Sequence, residues 1–182
     1  MKEAFQKEYK QRSDIYKARI TQWNAGSSIT RINKPTNITR ARELGYKAKE
    51  GILMARVKVR GGKSKREAPD GGRKPSKSGR FFSRAKSLQA IAEERAATRF
   101  SNCEVLNSYF IGAAGTDKFY EIILLDRSNK AIQNSPQYKS ILAQRGRAYR
   151  GMTHQGRKHR GLAHKGYGTI KLRPSKRTNN MA

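Results

Sequence analysis

The stretch Gly51-Ile52-Leu53-Met54-Ala55-Arg56-Val57-Lys58-Val59-Arg60 decides the fold. After Gly51 opens it, Leu53, Ala55, Val57 and Val59 alternate with Met54, Arg56, Lys58 and Arg60. A period of two belongs to a β-strand and not to a helix. One set is apolar and the other mostly cationic. The expected strand therefore has the core on one side and a basic, phosphate-facing surface on the other.

More strands are expected downstream. Glu104 to Ile111 and Lys118 to Leu125 read as a pair, joined by Gly112-Ala113-Ala114-Gly115-Thr116-Asp117 as the hairpin loop. A short extended piece precedes the first strand, Ile29 to Asn33, and ends at Pro35.

Helical periods alternate with these strands. Phe5, Tyr9, Tyr16, Ile20 and Trp23 form one stripe of a 3.6-residue period, stopped by Asn24 and Gly26. Thr39 is placed to cap a short helix through Tyr46. Leu88, Ile91, Ala92, Ala96 and Phe100 stripe a helix over 84–100, behind a cap at Ser83 or Ser87. Pro136 fits the first turn of a short helix ending near Leu142. This order predicts an α+β fold: a small, mainly antiparallel sheet with helices packed on one side of it. Residues 1–142 are expected to form the core domain, with a basic loop inserted at 61–83. Residues 143–182 are expected to form an extended basic tail.

Charge limits the function. The 182 residues include 41 Lys and Arg against 13 acids, a net charge of +28. Such a chain repels itself when compact and calls for a polyanionic partner. A membrane is disfavoured, because the longest apolar runs are Ile122 to Leu125 and Gly51 to Ala55. Met1-Lys2-Glu3-Ala4-Phe5-Gln6-Lys7 lacks the apolar core of a secretory signal. The single cysteine, Cys103, fits a reducing cytosol and reads as a small buried strand residue.

Two segments carry much of the charge. Arg60 to Arg84 holds nine Lys or Arg, two acids and five glycines, with only Phe81 and Phe82 large and apolar. Such a stretch buries too little surface to offset its ordering entropy unless it folds onto a partner. Residues 143–182 hold eleven Lys or Arg, three His and no acid. Gly146, Gly151, Gly156, Gly161 and Gly166 fall five apart, and His154, His159 and His164 share one pentad position. A period of five suits neither helix nor strand, whereas repeated glycine permits close backbone approach and unusual φ. An extended strap bending around RNA is the expected form.

Other chemistries find little support. The three histidines lack a cysteine partner and sit in cationic sequence, which opposes a metal site. Gly62-Lys63-Ser64 resembles the end of a phosphate-binding loop, but Val57 stands where that motif needs glycine. Glu93 and Glu94 are adjacent, so on a helix they point about 100° apart. They read as a solvated face or as partners of nearby arginines. No nucleophile–base pair, cofactor motif or small-molecule site stands out, and no enzyme is expected. Zinc-finger, basic-zipper and RRM patterns are missing. Long Gly-rich basic segments suit the crevices of folded RNA better than a regular duplex. An architectural DNA-binding protein and an RNA-modifying enzyme are the rival readings.

Several blocks carry a family resemblance: Leu44-Gly45-Tyr46-Lys47-Ala48-Lys49 with Gly51, Arg56-Val57-Lys58-Val59-Arg60-Gly61-Gly62, Ser87-Leu88-Gln89 and Ala92-Glu93-Glu94-Arg95-Ala96. Val105-Leu106-Asn107-Ser108-Tyr109 and Lys118-Phe119-Tyr120-Glu121-Ile122-Ile123-Leu124-Leu125-Asp126 continue the series. Arg150-Gly151-Met152-Thr153 and Gly156-Arg157-Lys158-His159-Arg160-Gly161-Leu162 complete it. In this order, over about residues 36–177, they resemble the "15e" family, the fifteenth protein of the archaeal and eukaryotic large ribosomal subunit. Phe110 departs from a usual Trp, Gly112-Ala113-Ala114 from an acidic hairpin start, and Arg127 from a common Pro. The short tail points to the archaeal type.

The resemblance implies a cytoplasmic structural constituent of the large subunit, without catalysis, cofactor or metal. Its implied partners are large-subunit rRNA and neighbouring ribosomal proteins. RNA contacts are expected in the core from Arg40, Arg42, Lys47, Lys49, Arg56, Lys58 and Arg60. The loop is expected to add Lys63, Lys65, Arg66, Arg73, Lys74, Lys77 and Arg80, with Arg84 beyond it. Along the tail the expected contacts are Arg145, Arg147, Tyr149, Arg150, His154, Arg157, Lys158, His159 and Arg160. They continue with His164, Lys165, Tyr167, Lys171, Arg173, Lys176 and Arg177. Tyr149, His154 and Tyr167 are suited to stacking on bases.

Overall fold

The computed structural model describes residues 2–62, 64–65, 70–77, 79, 81–82 and 85–163. It is α+β. The long strand is present as β2, Ile52–Arg60, and pairs antiparallel with β1, Ile29–Ile32, on one side. On its other side lies β6, Asp117–Asp126, which pairs in turn with β5, Cys103–Ala114. The sheet order is β1-β2-β6-β5. In the inserted loop, β3, Ser64–Lys65, pairs with β4, Phe81–Phe82, and a 3-10 turn spans Pro75–Lys77.

The hairpin is tighter than the sequence suggests. Gly112, Ala113 and Ala114 continue β5 and leave Gly115-Thr116 as the turn. Gly112 has a packing reason to be there. A Cβ on it would lie 2.7 Å from Ile20 Cδ1 and 2.9 Å from the Tyr16 hydroxyl. Glycine lets the second helix press onto the strand, and the Ala113 N–H donates to Tyr16 Oη at 3.2 Å.

The expected first helix is two helices, α1, Lys2–Gln11, and α2, Asp14–Ala25. Arg12 takes a left-handed φ of 48°, and the Ser13 side chain accepts from the Tyr16 N–H as the cap of α2. Ser and Asp in succession are a start signal that the apolar stripe concealed. α3, Ile38–Glu43, is capped by Asn37 rather than Thr39 and stops short of Tyr46. α4, Leu88–Arg99, starts at Ser87, one of the two expected caps, and so begins later than the expected 84. The sequence reading missed α5, Lys130–Gln133, whose cap is Asn129. α6, Pro136–Leu142, does carry Pro136 in its first turn.

Helices cover both faces of the sheet, not one. On one face Ile52, Met54, Tyr109, Ile111, Phe119, Ile123 and Leu125 pack with Tyr16, Ile20, Ala41, Ile132 and Tyr138 from α2, α3, α5 and α6. On the other face Ala55, Val57, Val59, Val105, Ile122 and Leu124 pack with Ala92 and Ala96 of α4. On the "basic" face of β2, Arg56 lies against Trp23 and Lys58 reaches Asn24 of α2, while Arg60 is exposed. Burying each large aliphatic side chain contributes about 1.5–3 kcal/mol, which favours this double cover.

Residues 143–163 are folded too. They end in α7, His154–His159, and Ala148, Thr153 and Gly156 are buried against the core. This part of the expected tail is a docked arm and not an extended strap. Residues 164–182 lie outside the described residues.

Candidate nucleic-acid interface

Three buried carboxylates organise the cations around them. Glu121, on β6, has no exposed surface and accepts from the Thr36 N–H at 3.0 Å, the Thr36 hydroxyl and the Tyr109 hydroxyl. Arg56 Nη2 approaches it at 3.4 Å, and the Arg56 guanidinium stacks 4.2 Å from the Trp23 ring centroid. Burial lowers the Arg56 pKa while Glu121 pulls it back up. Arg56 is thus held by the protein itself. Its neighbour Lys58 donates to the Asn24 carbonyl at 2.8 Å.

Glu104, on β5, receives the Gly146 N–H at 2.9 Å and the Arg147 N–H at 3.3 Å. Arg127 reaches the same carboxylate at 3.4 Å. Arg147 then donates to the Val105 carbonyl at 2.6 Å. Burial lowers the Arg147 pKa, with Glu104 and Glu93 opposing.

Glu93 corrects the solvated-face reading. Its side chain is buried, accepting from the Ser108 hydroxyl and, at 2.6 Å, from the Thr153 hydroxyl. The Thr153 oxygen in turn accepts from the Gly156 N–H at 3.1 Å and caps α7. Burial raises the Glu93 pKa above its ordinary value. The carboxylate joins helix α4, strand β5 and the arm. A signal for it existed: Glu93 lies three residues from Ala90 and three from Ala96, both buried on the same helix face. Glu94 is partly exposed and pairs with a lysine, Lys86, at 2.6 Å rather than with an arginine.

Four of the five pentad glycines lie among the described residues and have defined work; Gly166 lies outside them. Gly146, Gly151 and Gly161 adopt φ of 63°, 64° and 70°, which L side chains avoid. Gly156 sits in α7, where a Cβ would come within 2.4 Å of Gly151 Cα. The repeat builds tight turns and one backbone contact.

The remaining cations divide by exposure. Arg42, Lys47, Lys49, Arg73 and Lys74 are exposed, and Arg40 is exposed but pairs with Glu43 at 2.7 Å. Arg60 closes β2 at the surface. On the arm Arg145, Tyr149, Arg150, His154, Arg157, Lys158 and His159 are exposed, and Arg160 is partly covered. Only the backbone is described at Lys65 and Lys77. Lys63, Arg66, Arg80, Arg84, His164, Lys165, Tyr167, Lys171, Arg173, Lys176 and Arg177 lie outside the described residues. Among the described residues no His, Cys, Asp and Glu group is arranged for a metal, and no helix is long and apolar enough to cross a membrane. Cys103 is buried in β5, where burial pushes its thiol up to about 11.

Known proteins resemble this chain along most of its length. Residues 1–179 match the family model described as Ribosomal L15. Three archaeal relatives are each named large ribosomal subunit protein eL15. That of Thermoplasma volcanium is 45% identical, covering 91% of this chain and 86% of its own. The Nanoarchaeum equitans protein is 48% identical, covering 91% and 88%. The Metallosphaera sedula protein is 47% identical, covering 75% of this chain and 65% of its own. With buried acids holding the fold, cations left outside and this match, the chain belongs to the ribosomal L15 family, whose members are structural proteins of the cytoplasmic ribosome and not enzymes.

Proposed function

We propose that this chain binds and stabilises folded large-subunit rRNA as a constituent of the large ribosomal subunit, beside neighbouring ribosomal proteins. One observation carries the reading. Three of the 13 acids, Glu93, Glu104 and Glu121, are buried and committed to internal bonds, so these three do not offset charge at the surface. The arm, which contains no acid, leaves Arg145, Arg150, Arg157 and Lys158 exposed. Phosphate is the ligand that such an exterior accepts most readily.

In this reading 1–142 is a docking core and 143–182 an RNA-binding arm whose first part is pre-folded on that core. The loop at 61–83 and the residues beyond 163 add charge between RNA helices. The core contribution of Arg56 is indirect, since its guanidinium is already engaged; the exposed Arg42, Lys47 and Lys49 are the better phosphate contacts.

Counterion release makes such binding weaken steeply with salt. Equilibrium binding to protein-free large-subunit rRNA, measured from low to moderate salt, tests it. A steep fall in affinity is expected, with duplex DNA competing poorly at equal salt. An affinity nearly independent of salt overturns the reading.

A further inference from the structure

A cleft of about 840 Å³ opens between the C-terminal end of α4, the start of β5, the turn after β6 and the first turn of the arm. Tyr149, Arg127, Arg145, Ser101 and Gln133 stand on its walls. We infer that this cleft is a binding site for one unstacked nucleotide of RNA, with the base on the Tyr149 ring and its phosphate on Arg145. The inference rests on the rRNA reading above and deepens it.

Tyr149 is the central observation. The residue is 54% exposed, yet its hydroxyl lies 2.6 Å from Thr98 Oγ1. Both hydroxyls also reach the Glu94 carbonyl, Thr98 at 3.0 Å and Tyr149 at 3.4 Å, and either can donate to the other. An exposed aromatic normally turns freely. This one is anchored at its far end, with its ring left open to solvent. The backbone beneath it is anchored as well. Gly146, in its left-handed conformation, donates to Glu104, and its carbonyl accepts from the Arg150 N–H at 3.1 Å. A fixed ring stacks a base without first losing rotamer freedom.

Charge agrees with this placement. Glu104 lies in the cleft, but its oxygens already accept from Gly146, Arg147 and Arg127. Arg145 is exposed at the rim and makes no ion pair among the described residues. The Ser101 hydroxyl, also without a hydrogen bond among the described residues, is available to a base edge or a ribose. The volume falls in the range of small-ligand sites and admits a nucleotide. A duplex is excluded, because its base faces are stacked on one another. Splayed nucleotides of loops and bulges present the faces that aromatic side chains receive.

Chemical probing of protein-free large-subunit rRNA, bound by the full chain, tests the site. Wild type is expected to protect one loop or bulge nucleotide that Tyr149→Leu leaves reactive, with affinity falling about tenfold, the loss of one stacked base. Tyr149→Phe keeps the ring but loses its anchor to Thr98, so protection should persist at the same nucleotide with an affinity between those of wild type and Tyr149→Leu. Arg145→Gln should weaken protection at the same nucleotide, whereas Arg157→Gln, outside the cleft, weakens binding without altering it. Melting curves confirm that each variant is folded, and Arg145→Gln decides the matter if Tyr149→Leu is not. Identical footprints and affinities for wild type, Tyr149→Leu and Arg145→Gln overturn the cleft while leaving rRNA binding intact. Failure of wild type to bind the rRNA in a salt-dependent way overturns both.

Discussion

Arg56 and Glu121 stand directly opposite each other across the β2–β6 ladder, closed over by Trp23 on the face that the strand's alternation marks as basic. Arg56 is therefore a structural cation. Replacing it with Met leaves Glu121 buried without its counter-charge, a change that typically costs about 3–5 kcal/mol. Glu121→Leu should cost at least as much, because the Tyr109 hydroxyl and the Thr36 N–H also lose their acceptor. Urea unfolding measures both. An Arg56→Met variant as stable as wild type would contradict this account.

Glu93 links arm stability to pH. Its folded pKa is raised above the ordinary 4.5 by burial. The folded state thus holds that proton more tightly than the unfolded chain. The contribution is fully present below the unfolded value and is lost as pH rises through the raised folded value, at about 1.4 kcal/mol per unit. Glu93→Gln cannot titrate. The melting temperature of Glu93→Gln relative to wild type should therefore rise with pH above about 4.5 and then level off. A difference that stays flat from about pH 4 to 8 sinks the assignment.

What the sequence made legible was what period and punctuation encode. The alternation of β2, the stripe and Ser87 cap of α4, and Pro136 at the start of α6 were all readable, because each is a local preference that packing reinforces. Arg56 and Glu121 were not, since 65 residues separate them and only the strand register brings them together. The same holds for Glu93 and Thr153, 60 apart. The cations of β2 were read as solvent-facing, and that rule fails where an acid waits in the fold. The arm was misread for a related reason: its glycines signal unusual φ whether the chain is extended or tightly turned.

Gly156 tests the docking of the arm by shape alone. Its Cβ would lie 2.4 Å from Gly151 Cα and 2.6 Å from the Gly151 carbonyl carbon. Both are backbone atoms, so no side-chain rotation relieves the clash. Gly156→Ala should cost about 1–3 kcal/mol and lift α7 from Gly151. Hydrogen exchange at the Gly156 and Arg157 amides, which bond to Thr153, should accelerate. Protection unchanged from wild type would mean that the two segments are not in contact.

The cations of the arm should separate into two kinds when stability and RNA affinity are measured on the same variants. Arg157 and Lys158 project from α7 into solvent. Replacing either with Gln removes no internal bond of its side chain, so unfolding free energy should change by less than about 0.5 kcal/mol. If each contacts one phosphate, the slope of log affinity against log salt should fall by about 1 per cation removed. Arg147 should behave in the opposite way. Its guanidinium donates to the Val105 carbonyl at 2.6 Å and lies between Glu104 and Glu93. Arg147→Gln leaves that acceptor and both carboxylates poorly compensated, so stability should drop by about 1–3 kcal/mol with little change in salt slope. Equal salt slopes for Arg157→Gln, Lys158→Gln and wild type would remove α7 from the RNA interface, whatever its charge.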